Sequence, residues 1–400
     1  MASLMSLNAL AIDAMLPALG LISDDLRLSD PNDRQWIVTS YIAGMAIGSI
    51  IYGSLADRFG RKPILSVTIS IYIIFGGLCA FTSDYNFLLI ARFIQGLAAS
   101  AMGVLTNSII RDRFTGDAMA RMMSTIMMIF MVVPTIAPML GEVVLLFADW
   151  HYIFLMLSFS GLAMLFWVFM RLPETLDPKN ITPIETKAVL SAWRQVIFNR
   201  NAFGHVMASG FMMAPLFAFI ASSQQIYVET FDAAELFVFL FALNASAMSF
   251  CSFINSRIVM RFGARRVSQS ALIFYISVSA ILLTTSAAGY SNLILFTVLL
   301  VPSMGMVGLT AANFGSIAMQ PFGKIAGVAS SFQNFARSCL SAGIGAAIGL
   351  QYDGTIMPFA TGFFICGMIS LLIIFWAEKG KLFRRIQTGV TSADLATNQQ

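Results

Sequence analysis

Gly53-Ser54-Leu55-Ala56-Asp57-Arg58-Phe59-Gly60-Arg61-Lys62-Pro63 is a knot of charge hinged on glycines and set between two long apolar segments. Charge confined to a short turn between such segments is what a bilayer demands, because the helices cross hydrocarbon and the polar residues collect where the chain meets water again. The stretch predicts a turn at a membrane surface joining two transmembrane helices.

The rest of the chain agrees. Of its 400 residues, 58% are hydrophobic and 11% charged, with a mean hydropathy of +0.80. A water-soluble globule has too little interior to hide that much apolar surface. Between the polar breaks lie twelve runs long enough to cross about 30 Å of hydrocarbon, near residues 3–22, 35–56, 63–82, 87–110, 118–147, 151–171, 202–228, 235–259, 267–288, 292–317, 325–350 and 356–377. They are continuous rather than alternating, which predicts helices and excludes barrel strands. The first run lacks a basic leader and a cleavage site, so it is expected to be a retained helix.

Charge sets the orientation. Of the 24 Lys and Arg, 20 fall on one side: Arg58, Arg61, Lys62, Arg111, Arg113, Arg121, Arg171, Lys179, Lys187, Arg194, Arg200, Arg257, Arg261, Arg265, Arg266, Lys324, Lys379, Lys381, Arg384 and Arg385. Arg27 and Arg34 fall on the other. The positive-inside rule then places both termini in the cytoplasm, which an even number of spans requires. The net charge of +4 is explained by topology, and no nucleic-acid partner is expected. Cys79, Cys251, Cys339 and Cys366 all lie in predicted spans without ligand spacing, so neither disulfide nor metal site is expected. No nucleophile–base pair or phosphate-binding loop suggests an enzyme.

Residues 172–201, with Pro173, Pro178 and Pro183, form the one long polar stretch between spans. The expected organisation is a six-helix bundle over 1–171, a linker over 172–201, a second six-helix bundle over 202–378 and a tail over 379–400. Ile184 to Phe198 reads either as an amphipathic helix on the membrane surface, with Trp193 at the interface, or as a plain linker. Ser256 to Arg265 aligns with Gly53 to Lys62, with Met260 in place of Asp57. The halves are therefore expected to be pseudo-symmetric, rocking about a midplane site.

An ionisable group within a span costs about 2.5–3.5 kcal/mol even on the lenient insertion scale, so each asks for a function. Asp13 lies mid-span in the first helix, where desolvation and any nearby cation contest its charge; it is the leading candidate for a proton carrier. Arg92 lies in the fourth span, where Gly96, Ala99 and Gly103 on one face would admit a neighbouring backbone. Glu142 sits toward the outer end of the fifth, a candidate second proton or cation site. Along that helix Pro134, Pro138 and Gly141 recur on one side and would bend it. In the eleventh, Gln333 and Arg337 share a face, available to an anionic or polar substrate or to a partner within the protein. Met15, Tyr41, Met128, Phe211, Met212 and Phe217 are candidates to line a plastic, repackable cavity.

The G-x-L-A-D-R-x-G-R-K-P spacing resembles the signature loop of the major facilitator superfamily. Arg92-Phe93-Ile94-Gln95-Gly96 resembles the fourth-helix motif of its proton-coupled members, and Pro134-Thr135-Ile136-Ala137-Pro138-Met139-Leu140-Gly141 resembles in part the fifth-helix antiporter motif, with Ala137 and Glu142 where glycines are usual. With Arg111-Asp112-Arg113-Phe114 and the following Ala118 to Ser124, the set is similar to the Bcr/CflA branch of drug:proton antiporters. The resemblance implies a monomer in the bacterial inner membrane that exports small amphipathic compounds against protons, powered by the proton gradient and needing no cofactor. It also implies that Arg92 tunes Asp13. Gly53, Asp57, Arg58, Gly60 and Arg61 would form a conformational latch, Asp57 pairing with Arg111 or Arg113. Two further readings share the fold: a proton-linked importer of a nutrient, and an exporter dedicated to one metabolite or siderophore.

Overall fold

In the computed structural model, residues 1–114, 116–177, 186–322 and 326–384 are described; side chains of some further helical residues, Met128 among them, lie outside the description. The described chain is all-helical. The first half comprises α1 (Ala2–Asp13), α2 (Leu19–Asp25), α3 (Gln35–Phe59), α4 (Arg61–Ala80), α5 (Tyr85–Arg113), α6 (Gly116–Leu145) and α7 (His151–Arg171). After α8 (Thr186–Phe198), the second half comprises α9 (Arg200–Gln224), α10 (Phe237–Phe262), α11 (Ala264–Ala287), α12 (Leu293–Met319), α13 (Ala326–Gly349) and α14 (Met357–Ala377).

Among the described residues, ten helical segments are long and apolar enough to cross a membrane. The fifth and eleventh expected spans fall on α6 and α13, helices of 30 and 24 residues. The first span is the exception to continuity. It stops at Asp13, turns, passes through a 3-10 turn at Leu16–Ala18 and resumes as α2. The cause is Pro17, which has no N–H to give the carbonyl of Asp13 four residues back.

Glycine brings the first-half helices together. A Cβ on Gly96 would sit 2.0 Å from the carbonyl oxygen of Tyr41, and one on Gly44 2.0 Å from that of Phe93. α3 and α5 therefore touch backbone to backbone, the contact that small residues permit when lipid supplies no hydrophobic drive. Gly103, expected on the same face, meets nothing within 4 Å.

The weak repeat is visible in the backbone. Gly60 and Gly263 both cap the following helix with left-handed φ, +99° and +85°, a conformation glycine adopts freely. α8 packs on the protein: Trp193 contacts the rings of Phe332 and Phe335 on α13, and Val196 is buried with Ala202, Phe322, Ala329 and Phe332.

Gly96→Val forces the α3–α5 crossing apart. The expected loss is at least ~2 kcal/mol, measured as a lower melting temperature of detergent-purified protein. An unchanged melting temperature would refute the backbone contact.

Candidate functional site

The break in the first span positions Asp13. Ala14 N–H still reaches Leu10 oxygen at 3.0 Å, so α1 stays regular up to the acid. Asp13 is 4% exposed, and its Oδ1 has no hydrogen-bond partner. An ionised carboxylate so placed would be desolvated without compensation.

Arg92 is fully buried and forms no ion pair with Asp13 among the described residues. It donates from Nη2 to the carbonyl of Ala11 at 3.0 Å, from Nε to that of Ile37 at 3.3 Å, and from Nη1 to Oε1 of Gln95 at 2.8 Å. Its guanidinium lies 4.3 Å from the Tyr41 ring centre and 5.6 Å from that of Phe154. Arg92 holds the backbone two residues upstream of the acid and ties it to α3 and α7, a role suited to a planar, permanently charged fork.

From the other side comes α6. A Cβ on Gly141 would lie 1.8 Å from the oxygen of Ala14, so this glycine seats α6 against the break itself. Pro134 and Pro138 lie within the same helix. Glu142, the next residue, is exposed and is not brought to Asp13.

Sequence reasoning missed three members of this cluster. Asn8 accepts from the hydroxyl of Tyr41 at 3.3 Å, while Tyr72 OH and Gln95 Nε2 are buried without a partner. Polar residues inside otherwise apolar spans were the available signal.

The residues expected to line a cavity scatter. Met15, Tyr41 and Met212 are fully buried, with Tyr41 serving as the face on which Arg92 rests. Phe211 lines a cleft between α13 and α14 with Ile344, Ile348 and Cys366. Phe217 packs at Gly345, and the side chain of Met128 lies outside the described residues. Gln333 is buried against Gly315; Arg337, half-buried, donates to Oδ1 of Asn334 on its own helix at 3.2 Å.

The charged turn is a network built differently from expectation. Asp57 pairs with Arg61 at 2.5 Å, one helical turn on, and Arg61 reaches Asp112 at 3.0 Å. The residue that α5 contributes is therefore Asp112, while Arg111 and Arg113 are exposed, as is Arg58. The reason is geometric: Gly60 reverses the chain so that Arg61 opens α4 and folds back over the end of α3. Gly53, one turn before Asp57, would place a Cβ 4.0 Å from Ser331 Oγ on α13.

Gly60 has no side chain to cap α4, and Glu174 takes that role from beyond α7. Its carboxylate accepts from the backbone N–H of Arg61 at 3.0 Å and of Lys62 at 3.1 Å, satisfying first-turn donors that a helix cannot pair internally. Burial works to raise its pKa, but these N–H groups, with those of Leu176 and Thr175, outweigh it and hold the carboxyl below the usual range. In the second half Glu378, just after α14, bonds Arg265 of α11 at 2.7 Å and lies 3.5 Å from His205.

This is the architecture of a polytopic membrane transporter. The Major Facilitator Superfamily model matches residues 1–346, and the chain belongs to that superfamily. It is 30% identical over 386 residues to the bicyclomycin resistance protein homolog of Haemophilus influenzae, spanning 94% of each chain. It is 26% identical to multidrug resistance protein MdtL of Escherichia coli O157:H7, spanning 95% of each. A crystal structure of D-xylose-proton symporter superposes with a TM-score of 0.73 at 16% identity, over 95% of this chain and 97% of that one, a likeness of fold. The chain is thus a transporter of small molecules embedded in a membrane.

Two substitutions probe these contacts. Gly141→Ala drives a methyl into the Ala14 carbonyl, so transport is expected to fall at least tenfold, about 1.4 kcal/mol, in vesicles carrying normal amounts of protein. Glu174→Ala removes the α4 cap, worth about 1 kcal/mol, so the amides of Arg61 and Lys62 should exchange hydrogen roughly fivefold faster. Because the Glu174 pKa is lowered on folding, the cap's contribution is complete above the unfolded carboxylate pKa and is lost as pH falls through the folded one. The difference between wild type and variant should therefore persist at neutral pH and vanish only in acid.

Proposed function

We propose that this transporter is a proton-coupled exporter of small amphipathic compounds, working by alternating access between the two six-helix bundles (1–171 and 202–378) joined by the 172–201 linker. The carrying observation is Asp13: a buried acid with an unpaired oxygen, at a break in the first span, gripped by Arg92 on one side and Gly141 on the other. That environment suits a neutral, protonated acid until the site opens to water or receives a cation. Proton and substrate then compete, each favouring a different state, which is what coupling requires.

Export is supported by the resistance-protein names of the relatives. The bacterial relatives support an inner membrane, the positive-inside count supports both termini in the cytoplasm, and the chain is expected to act as a monomer. Asp57, Arg61 and Asp112, with Gly53, Gly60 and Arg58, serve as the latch at the cytoplasmic end. Of the second-bundle residues expected at the cargo, Arg337 is the one assigned to it, since its guanidinium is met only by Asn334 of its own helix among the described hydrogen bonds. Glu142, exposed at the far end of α6, serves as a secondary acid that modulates rather than carries the proton.

The test uses acid-loaded proteoliposomes, with wild-type protein beside Asp13→Asn, and a panel of chloramphenicol-like, cationic and peptide-like compounds added outside. Wild type should release protons and accumulate at least one compound inside. Asp13→Asn should lose at least 90% of both, about 1.4 kcal/mol or more. Compound-driven proton release that survives the substitution would overturn the role of Asp13. Compound uptake that follows an inward proton gradient instead of an outward one would overturn export.

A further inference from the structure

The two halves are bonded to each other at the end of the molecule opposite the termini. Arg34, just before α3, has a side chain only 5% exposed and forms an ion pair with Glu229, 40% exposed. Gln35 donates from Nε2 both to Oε1 of Gln225 and to the carbonyl of Gly349 at 2.9 Å. Asn32 donates to the carbonyls of Tyr352 at 2.9 Å and Leu350 at 3.3 Å, and its Oδ1 accepts from Gln225 at 2.8 Å. One buried guanidinium paired with a carboxylate is thus accompanied by three side-chain amides and three main-chain carbonyls bonded across the same junction.

Two of the second-half contributors, Gln225 and Glu229, sit on an unusual element. Gln225–Thr230 is a π-helical turn, a rare form that occurs mostly as single turns and frequently at functional sites. Thr230 and the Tyr352 hydroxyl, 2.8 Å apart, brace it against the chain leaving α13. The first span also reaches this point: a Cβ on Gly20 would lie 3.2 Å from Gln224 and 3.6 Å from Arg34. Gly20 is seven residues beyond Asp13, on the far side of the break.

Side-chain polar bonds differ from apolar packing in one respect that matters here. Each group in the cluster can exchange its protein partner for water at little cost when the cluster opens, whereas prising apart an equal apolar surface forfeits its whole burial energy. The arginine is the exception. While the cluster is closed Arg34 is desolvated, and a buried charge stripped of its partner is strongly disfavoured. The closed arrangement is therefore stable only with the Glu229 carboxylate in place.

We propose that the Arg34–Glu229 pair, with the amides of Asn32, Gln35 and Gln225, is the releasable seal of this end, made in the closed state and dissolved into water when the end opens. The seal rests on alternating access but not on the assignment of Asp13 or on the direction of transport. Its position against Gly20 makes the segment beyond the break the element through which events at Asp13 reach it.

The test is a distance measurement between nitroxides at Ser29→Cys and Glu235→Cys, both exposed positions. The protein is full-length, its four native cysteines replaced, in lipid nanodiscs without substrate or proton gradient. The parent should show mainly short distances. Glu229→Gln, nearly isosteric and at a half-exposed site, should raise the population of longer distances about threefold or more, whereas Asp232→Asn, an exposed acid outside the cluster, should leave it unchanged. Equal distributions for Glu229→Gln and parent would overturn the proposal, as would an Asp232→Asn effect as large as that of Glu229→Gln. Since no transport is read, a failure of Asp13→Asn to uncouple would leave this result standing.

Discussion

The carbonyl of Asp13 has no N–H four residues on to accept from, because residue 17 is proline, and most of the first half follows from that. In hydrocarbon an unpaired backbone group costs several kcal/mol, so an interrupted helix survives only when protein surrounds the interruption. Here α6 comes in through Gly141, close enough to touch Ala14, and Arg92 fixes the carbonyl of Ala11. Arg92 can reach that far only because α3 and α5 are in backbone contact at Gly44 and Gly96. An acid, a proline, an arginine and three glycines, spread over some 130 residues of chain, thus serve one place in the membrane.

Charge is handled by the same logic at the membrane-facing ends. Arg61 and Arg265 each open the region after a left-handed glycine, each is largely buried, and each lies in a network that includes a carboxylate from just after the sixth helix of its half. The halves solve the problem with different atoms. In the first, Glu174 caps backbone amides while Asp57 and Asp112 take the guanidinium; in the second, Met260 stands where the acid would be and Glu378 binds Arg265 directly. Loss of the loop acid therefore leaves no cation stranded.

The opposite end is joined by an ion pair and side-chain amides, and the first-half interior is held by a buried arginine on carbonyls and aromatic faces. Arg34 at the rim has a counter-charge and Arg92 in the middle has carbonyls and aromatic faces. A cation balanced by neutral dipoles does not extinguish the response of a nearby acid as a direct ion pair would.

Sequence by itself determined the solvent and the helical class. Continuous apolar runs about 20 residues long are what helices threading a bilayer require, and hydrophobic length is a local property of the chain. It also marked Asp13, Arg92, Gly141 and the charged turn, since polar or glycine residues stand out in an apolar background. Partners were a different matter. That Asp57 takes Arg61 and not Arg111 or Arg113, that Arg92 grips a carbonyl and not the acid, and that Arg34 meets Glu229 across nearly 200 residues were decided by tertiary structure. Which side chains face each other depends on where the helices cross and how each is rotated about its axis. Those quantities are set jointly by all the packed surfaces, and no single segment of the chain encodes them.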